Sequence, residues 1–396
     1  MIMAAAIESR TAEATARSKT SHIVSIDVFH DLGEVEPIWR ALEDQQHLST
    51  PYQRFDFLAA WQRNVGKCER CLPFIVIGRD TERQPLLLLP LALKQKHGIR
   101  TARFMGGKHA TFNMALWNRE FAKVATTLDL DALITGIRNR SGIDVLSLHQ
   151  QPLRWGELAN PMAMLPHQAS VNDCPMAMLE PGAAPTARIS SSLRRRLKSK
   201  ERKLQALRGY RYHVVADDTD IERVLDWFLR VKPLRMAEQK LPNVFAEPGA
   251  EDFIRDACMT RVSGGGRAID IHVLECDEEI IALFAGVADG YRFSMMFNTY
   301  TMSEHSRHSP GLILLRYIVD HYAEQGFSSI DLGIGSDDYK RMFCKNEEPI
   351  FDCFIPLSAR GKFATATMSR INRAKYLVKH SPALLSLAQK LRGSFR

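Results

Sequence analysis

The order of predicted secondary-structure elements in the first half of this sequence recurs in the second half. A strand, two helices, a run of antiparallel strands, a helix and a further strand are predicted from residue 22, and the same order begins again at residue 210. The chain of 396 residues is too long for one ordinary core. A repeat of about 190 residues therefore predicts two similar α/β (α+β) domains side by side, each a mixed, mostly antiparallel sheet flanked by helices.

Composition changes along the chain predict the boundaries of five segments. These are a disordered lead-in (residues 1–21), an N-terminal domain (22–160), a proline-rich crossover linker (161–189), a basic helix with the C-terminal domain (190–358) and a basic amphipathic tail (359–396). The linker is predicted to contribute one edge strand. The C-terminal domain is predicted to end on a strand over residues 351–357.

The segment from Ser309 to Gly326 predicts a loop followed by a helix that opens on Pro-Gly. Glycine lets the backbone approach a ligand closely, and a helix start offers unpaired N–H groups to an anion. The segment is therefore a candidate pyrophosphate site, although an ordinary glycine-capped αβ unit fits the same spacing. A buried strand and a glycine-broken turn follow it and end in Tyr339-Lys340.

The net charge of +8 is distributed unevenly. Nine Arg and Lys residues and no Asp or Glu lie between Arg360 and Arg396, so the rest of the chain has 44 basic and 45 acidic residues. A second cluster of seven basic residues lies on a predicted helix, between Arg194 and Lys203. With no aromatic residues interleaved, this helix is no stacking platform for single strands. It could cover an acidic surface, bind a polyanion such as tRNA or CoA, or be solvated.

No signal peptide and no transmembrane segment are predicted. The most apolar run, residues 85–93, is far shorter than the roughly 20 residues that span a bilayer. Seven scattered cysteines fit a reducing cytoplasm, and no metal is expected. The tail places apolar residues among its cations over 362–395, so peripheral contact with the inner face of the membrane is one interpretation, and docking on the body is the other.

Several landmarks in this order resemble the CelD/BcsL group of the GNAT superfamily, acetyltransferases involved in cellulose or exopolysaccharide biosynthesis. The landmarks include Thr50-Pro-Tyr-Gln-Arg, Phe104-Met-Gly-Gly, Leu193-Arg-Arg-Arg-Leu, Ser309-Pro-Gly and Asp331-Leu-Gly-Ile-Gly-Ser-Asp-Asp-Tyr-Lys340. The resemblance implies two GNAT-like folds in tandem, similar to FemAB aminoacyltransferases. It also implies acyl transfer from acyl-CoA to an amine or hydroxyl acceptor, such as a saccharide.

The donor site departs from the pattern of that superfamily. GNAT enzymes carry Arg/Gln-x-x-Gly-x-Gly/Ala before the pyrophosphate helix, whereas Arg307-His-Ser-Pro-Gly311 has one residue too many and lacks the second glycine. The candidate donor contacts are residues at this loop and at the Tyr-Lys pair: Arg307, Ser309, Gly311, Leu312, Ile313 and Lys340.

Two residues are candidates for acid–base catalysis. Asp331 could act as general base or orient the acceptor, and it could equally cap the N–H groups of Gly333 and Gly335. Tyr339 could protonate the leaving thiolate, since a phenol is a suitable weak acid, or it could simply pack its ring. An aminoacyl-tRNA donor and a non-catalytic role in a polysaccharide synthase complex stay open as alternatives.

Overall fold

The structure is a computed structural model that describes residues 20–381, except Gln45, Pro181, Gly264 and Ser336. The predicted lead-in lies outside the described residues up to residue 19, and so does the tail from residue 382 onward.

The strands are numbered in chain order: β1 Ser25–Phe29, β2 His47–Leu48, β3 Leu72–Arg79, β4 Pro85–Lys96, β5 Ile99–Phe104, β6 Leu116–Asn118, β7 Val145–Pro152, β8 Arg154–Trp155, β9 Leu158–Ala159, β10 Gln168–Ala169, β11 Cys174–Met178, β12 Arg211–Val215, β13 Asp270–Glu275, β14 Ile280–Ala288, β15 Arg292–Tyr300, β16 Ser329–Asp331, β17 Asn346–Glu348 and β18 Ile350–Pro356.

The α-helices are α1 Leu32–Ala41, α2 Phe55–Trp61, α3 Arg119–Val124, α4 Thr127–Ser141, α5 Pro185–Arg188, α6 Ser191–Leu204, α7 Asp218–Glu238, α8 Ala250–Met259, α9 Pro310–Glu324, α10 Asp338–Phe343 and α11 Ala359–His380. A π-helical turn over Gln62–Gly66 continues α2. Short 3₁₀ turns include Gly107–His109 and Glu304–His308.

Two mixed sheets carry the fold. The first has the strand order β1-β3-β4-β5-β7-β18-β10, with β6 added on β4, and the second has the order β12-β13-β14-β15-β16-β11-β17. Each sheet is antiparallel except for one central parallel pair, β5 with β7 and β15 with β16, and each of these pairs is in register over three residues. The predicted fold class, sheets of mostly antiparallel strands flanked by helices, is confirmed.

The two sheets exchange strands at the ends of the second half. Strand β18 pairs with β7 of the first sheet, whereas β11, from the predicted linker, lies inside the second sheet between β16 and β17. The second sheet therefore differs from the predicted 190–358 unit by one strand at each end. The linker does not supply only an edge strand, because both β10 and β11 come from it. Apolar periodicity identifies a strand but not the sheet that receives it.

The halves also share a hydrophobic core. Helix α2 is buried throughout and packs against α8 of the second half, where the rings of Phe57 and Phe253 meet edge to face with centroids 5.3 Å apart. Gly249, with φ of 78°, lies against the π-helical turn, and a Cβ there would stand 2.8 Å from the carbonyl carbon of Asn64. A side chain at this position would force the halves apart.

The predicted basic helix is α6. The Ser190 hydroxyl caps it by accepting a hydrogen bond from the N–H of Leu193. Its leucine stripe, Leu193, Leu197 and Leu204, is buried, and its Arg and Lys residues lie on the remaining faces. The helical periodicity of the leucines thus determines which face of α6 packs on the rest of the protein. The cations lie on the other faces of the helix, near the second sheet.

Candidate active site

A wedge opens in the second sheet where a parallel strand pair ends. Strands β15 and β16 pair from Arg292 opposite Ser329 to Ser294 opposite Asp331, and β15 then continues to Tyr300 while β16 stops. A bulge in β15 accompanies the opening, because the pairing with β14 skips one residue between positions 295 and 297. A cavity of about 500 Å³ lies in the wedge.

Three polar side chains line the cavity close to one another. The Nδ2 of Asn298 lies 3.4 Å from the phenolic oxygen of Tyr339, and the Nζ of Lys232, on α7, donates to the backbone oxygen of Asn298 at 2.8 Å. Burial raises the pKa of Tyr339 well above its usual value. Tyr339 therefore keeps its proton at neutral pH and can donate it.

Lys232 has a perturbed ammonium group at this cavity. Burial, and then the neighbouring positive charge of Arg235, lowers its pKa to about 8. A lysine with such a pKa is partly neutral near physiological pH and can accept a proton. Sequence periodicity could not single it out, because it lies within a helix that carries many other charged residues. Its one local signal is Pro233, a proline inside α7.

The first turn of α9 forms the mouth of the cavity. Ser309 takes left-handed backbone angles, φ 55° and ψ 51°, and its carbonyl accepts from the N–H groups of Leu312 and Ile313 at 3.0 and 3.2 Å. Of the three N–H groups predicted to face a pyrophosphate, only that of Gly311 makes no backbone hydrogen bond among the described residues. Ser309, Gly311 and Leu312 line the cavity, whereas the Ile313 side chain is fully buried in the core.

Gly311 packs against the wall of the wedge. A Cβ at this position would lie 3.5 Å from Cδ1 of Tyr300, an ordinary contact, so the backbone of α9 stands directly over the Tyr300 ring. The guanidinium carbon of Arg235 lies 3.5 Å from the centroid of that ring. Tyr300 thereby links α7 to the start of α9 and holds a cation beside the cavity.

Positive charge collects around the mouth. Lys200, on α6, donates from Nζ to the Ser309 hydroxyl at 2.7 Å. Partial burial lowers the pKa of His308, and so does the nearby positive charge of Arg307, His305 and two lysines of α6. The predicted contact Arg307 is exposed and pairs with Glu304 at 3.2 Å. Lys200 was missed by sequence analysis because nothing local joins α6 to the loop before α9.

Asp331 lies outside this cavity and is fully buried. It accepts from the Ser294 hydroxyl, from the N–H of Gly333 at 3.1 Å and from the Cys174 thiol at 3.6 Å. Burial raises its pKa to about 6, with Arg292 acting in the opposite direction. Of the two predicted roles, this geometry fits the capping of Gly333 and not contact with an acyl group. The N–H of Gly335 bonds instead to the carbonyl of Asp173.

Lys340 also points away from the cavity. Its ammonium is buried and donates to the carbonyls of Gly333 and Ile334 at 3.0 and 3.1 Å. The side chain therefore fixes the glycine turn after β16, and Tyr339, one residue earlier, reaches the cavity. The structure brings together Ser309, Gly311, Leu312 and Tyr339 of the predicted set, and places Asp331, Ile313 and Lys340 behind them.

Comparison with known families agrees with this geometry in the second half. The model of a family described as an acetyltransferase (GNAT) domain matches residues 191–341. This span contains the wedge, Lys232, α9 and Tyr339. The second half of the chain therefore carries a match to a GNAT acetyltransferase domain, which we call the GNAT domain. The protein is accordingly an enzyme of the acyltransferase class. No curated protein matches the sequence significantly.

Solved structures similar to this chain extend the likeness beyond the GNAT domain. The C-terminal domain of a protein assigned as a lysylphosphatidylglycerol synthetase from Agrobacterium fabrum has a TM-score of 0.51 at 12% identity, over 88% of this chain and 97% of that one. FemX has a TM-score of 0.51 at 8% identity, over 82% of this chain and 96% of that one. At such identities the likeness concerns the fold alone, and it includes both halves.

The described residues include no helix long and apolar enough to cross a membrane. Within the same part of the chain, no group of three or more His, Cys, Asp or Glu side chains is arranged to hold a metal ion.

Proposed function

We propose that the protein transfers an acyl group from acyl-CoA to an amine or hydroxyl acceptor, and that the donor binds in the wedge of the GNAT domain. The proposal rests on the opening of β15 from β16, with Tyr339 at the cavity and the first turn of α9 at its mouth. Beyond Ser294 the edge of β15 that faces β16 has no strand partner among the described residues. An extended, amide-bearing arm such as pantetheine can hydrogen-bond to a free strand edge.

The residues at the mouth fit a pyrophosphate. The free N–H of Gly311 at the helix start, the Ser309 hydroxyl and the Lys200 ammonium all donate hydrogen bonds, and a helix of 15 residues adds the favourable end of its dipole. Lys200 already holds Ser309 in place, so little ordering is needed on binding. Arg307 can turn from Glu304 to a phosphate because both side chains are exposed.

The proposed reaction needs one base and one acid. Lys232, in its neutral form, removes a proton from the acceptor amine or hydroxyl, which attacks the thioester carbonyl. Tyr339 donates its phenolic proton to the sulfur as the thiolate leaves. Proton transfer by positioned groups of this kind contributes roughly 10²- to 10⁴-fold to a rate. Asp331 supports the site from behind by fixing Gly333 and Ser294.

The proposed setting is envelope or exopolysaccharide biosynthesis at the cytoplasmic face of the membrane, as the CelD/BcsL resemblance implies. Helix α11 supports the peripheral location, because it exposes Phe363, Ile371 and Leu377 at 83%, 50% and 55% among basic residues. Apolar residues flanked by cations favour an anionic membrane surface.

Calorimetry with the full-length protein tests the donor directly. We expect acetyl-CoA to bind with one site per chain, and the variant Gly311→Leu to lose at least tenfold in affinity. Arg208→Ala serves as the matched surface control, since Arg208 is 94% exposed and lies in no part of the wedge. Absence of binding by both short- and long-chain acyl-CoA would contradict the proposal.

A second candidate donor is aminoacyl-tRNA. The exposed cations of α6 lie beside the mouth of the wedge, and the similar folds include FemX and a lysylphosphatidylglycerol synthetase domain. Neutralising phosphates releases counterions, so tRNA affinity should fall steeply with salt. If this candidate is correct, Arg195→Ala with Arg202→Ala weakens tRNA binding and reduces the salt slope by about two. An unchanged slope excludes α6 as the contact.

A further inference from the structure

A second cavity, of about 330 Å³, lies at the first sheet beside the equivalent parallel pair, β5 with β7. Ser147 and His149 line it from alternate positions of β7, and therefore from one face of the sheet. The Ser147 Oγ lies 2.8 Å from Nε2 of His149. On the other side of the ring, Nδ1 of His149 lies 3.4 Å from Oδ2 of Asp352, on β18.

Two irregularities of the backbone orient the Asp352 carboxylate toward the His149 imidazole. The pairing of β18 with β7 breaks at Asp352, so that one residue stands opposite two, and Gln150 takes a φ of 58°. Such bulges re-aim side chains and are enriched next to active sites. A non-glycine residue with positive φ is a strained feature that surrounding structure must maintain.

Asp352 is held in place and ionised. Its side chain is 4% exposed and accepts from the N–H of Gln150 at 2.9 Å, from Nδ2 of Asn372 at 3.0 Å and from the Ser170 hydroxyl. Burial acts against ionisation, but the hydrogen bonds and His149 lower its pKa. An ionised Asp352 accepts the Nδ1 proton of His149, which leaves Nε2 free to accept the Ser147 proton.

Two of the residues that line this cavity each carry a buried polar atom without a hydrogen-bond partner among the described residues. Arg103 lies opposite Ser147 in the β5–β7 register, and its buried Nε–H has no partner among the described residues while Nη2 bonds to Glu69. Asn113 is 2% exposed and donates to the His149 carbonyl at 3.3 Å, and its buried Oδ1 is likewise without a partner in that part of the chain. Buried polar atoms without partners are costly unless a ligand completes them.

From these observations we infer that Ser147, His149 and Asp352 form a serine-nucleophile site that cleaves a small carboxylic ester of a polar alcohol. The Arg103 guanidinium would stabilise the carbonyl oxygen, on which charge develops, and the Asn113 amide would hydrogen-bond to a hydroxyl of the alcohol part. The small volume suits a short acyl group, and the lining offers both apolar side chains for that group and polar side chains for the alcohol part. This inference concerns the first sheet and does not rest on the proposed transferase reaction.

The reaction proceeds in two balanced steps. The Ser147 Oγ bonds to the ester carbonyl carbon while its proton moves to Nε2 of His149; the C–O bond then breaks, and the alcohol leaves with that proton. Water next attacks the acyl-serine, His149 takes its proton, and the proton returns to Ser147 as the carboxylic acid is released. Ester and water become acid and alcohol, and no other reactant is needed.

The test is covalent labelling of the full-length protein with a biotin-linked fluorophosphonate, followed by intact mass and peptide mapping. We expect one adduct per chain on Ser147, no adduct in Ser147→Ala, and labelling at least tenfold slower in His149→Gln. Ser303→Ala, with a hydroxyl that bonds to Glu279, should label like the wild type. p-Nitrophenyl acetate should release a burst of one equivalent of p-nitrophenol, which Ser147→Ala abolishes.

An unmodified Ser147, under conditions that label a reference serine esterase completely, would overturn the inference. Labelling that persists in Ser147→Ala would overturn it equally. Thermal unfolding within 2 °C of the wild type, the criterion we set for each variant, ensures that loss of labelling reports chemistry and not loss of the fold.

Discussion

The amide of Asn298 meets the hydroxyl of Tyr339 across the open end of the wedge, with 3.4 Å between Nδ2 and the phenolic oxygen. Asn298 belongs to the strand that continues, and Tyr339 to the helix that follows the strand that stops. Their contact is therefore a direct consequence of the splayed pair, and in the proposed reaction it holds the group that protonates the leaving thiolate.

Tyr339→Phe should lower kcat by about 10²-fold and leave the Kd for acetyl-CoA within twofold, because only the proton donor is removed. Steady-state kinetics and calorimetry on the same preparation measure both. Tyr376→Phe, on α11, is the control and should keep full activity. Equal kcat in Tyr339→Phe and the wild type would remove Tyr339 from the mechanism.

The dependence of the acyl-transfer rate on pH should show the titration of Lys232. A base acts only when deprotonated, so the rate should rise with pH through the Lys232 pKa of about 8 and then level off. Lys232→Met should lose at least 10²-fold in rate and this rising limb together. If the rate of Lys232→Met still rises with pH over the same range, the rise is due to the titration of another group.

Two substitutions at Gly311 should show whether acetyl-CoA binding depends on free space at the mouth of the cavity or on the glycine backbone itself. Gly311→Ala places its methyl group in ordinary contact with Tyr300 at 3.5 Å and should bind acetyl-CoA within about threefold of the wild type. Gly311→Leu should lose at least tenfold, because its side chain extends into the mouth. Calorimetry of both variants checks this; comparable losses in the two would show that the glycine backbone, and not the space, matters.

Asp331 should make stability depend on pH. Its folded-state pKa of about 6 lies above the ordinary aspartate value of 3.8, so the folded protein binds more protons and loses stability as pH rises from 4 to 6. Two pKa units correspond to about 3 kcal/mol. Urea unfolding should therefore show a steeper loss over this range in the wild type than in Asp331→Asn. Parallel curves would contradict the raised pKa.

The exchanged strands should make the two halves unfold together. Because β18 completes the first sheet and β11 lies inside the second, neither half contains all of its own strands. We expect a single calorimetric transition and coincident urea curves from tryptophan fluorescence and circular dichroism. A fragment covering 190–358 should fail to fold alone. Two separated transitions would show that the halves are independent.

The local sequence pattern was sufficient to predict most of the helices and strands and part of the candidate site. The strand predicted over residues 351–357 is β18, Ile350–Pro356, and the basic helix predicted from residue 190 is α6, which Ser190 caps. The Ser309-Pro-Gly start of α9 was also predicted, since glycine, proline and a helix start leave a local signature, and the predicted residue Tyr339 lines the same cavity. Lys232 and Lys200 could not be found this way, because each reaches the site from a helix distant in sequence.

The pairing of distant segments explains the remaining differences. In the sequence, Asp331 is a carboxylate at the end of a predicted strand. Only the tertiary structure shows that Ser294 and Cys174, from two other strands, enclose it. Ser147 and His149 are two residues apart and visible in the sequence, whereas Asp352 joins them from more than 200 positions away.

The sequence by itself determined the strands and helices, the amphipathic faces and the duplicated order, because these depend on residues within a few positions of one another. Only the tertiary structure decided which sheet receives β11 and β18, and hence which side chains share a cavity. Any apolar strand satisfies the hydrogen bonds of either sheet edge equally well, so the choice is made by packing between segments far apart in the chain.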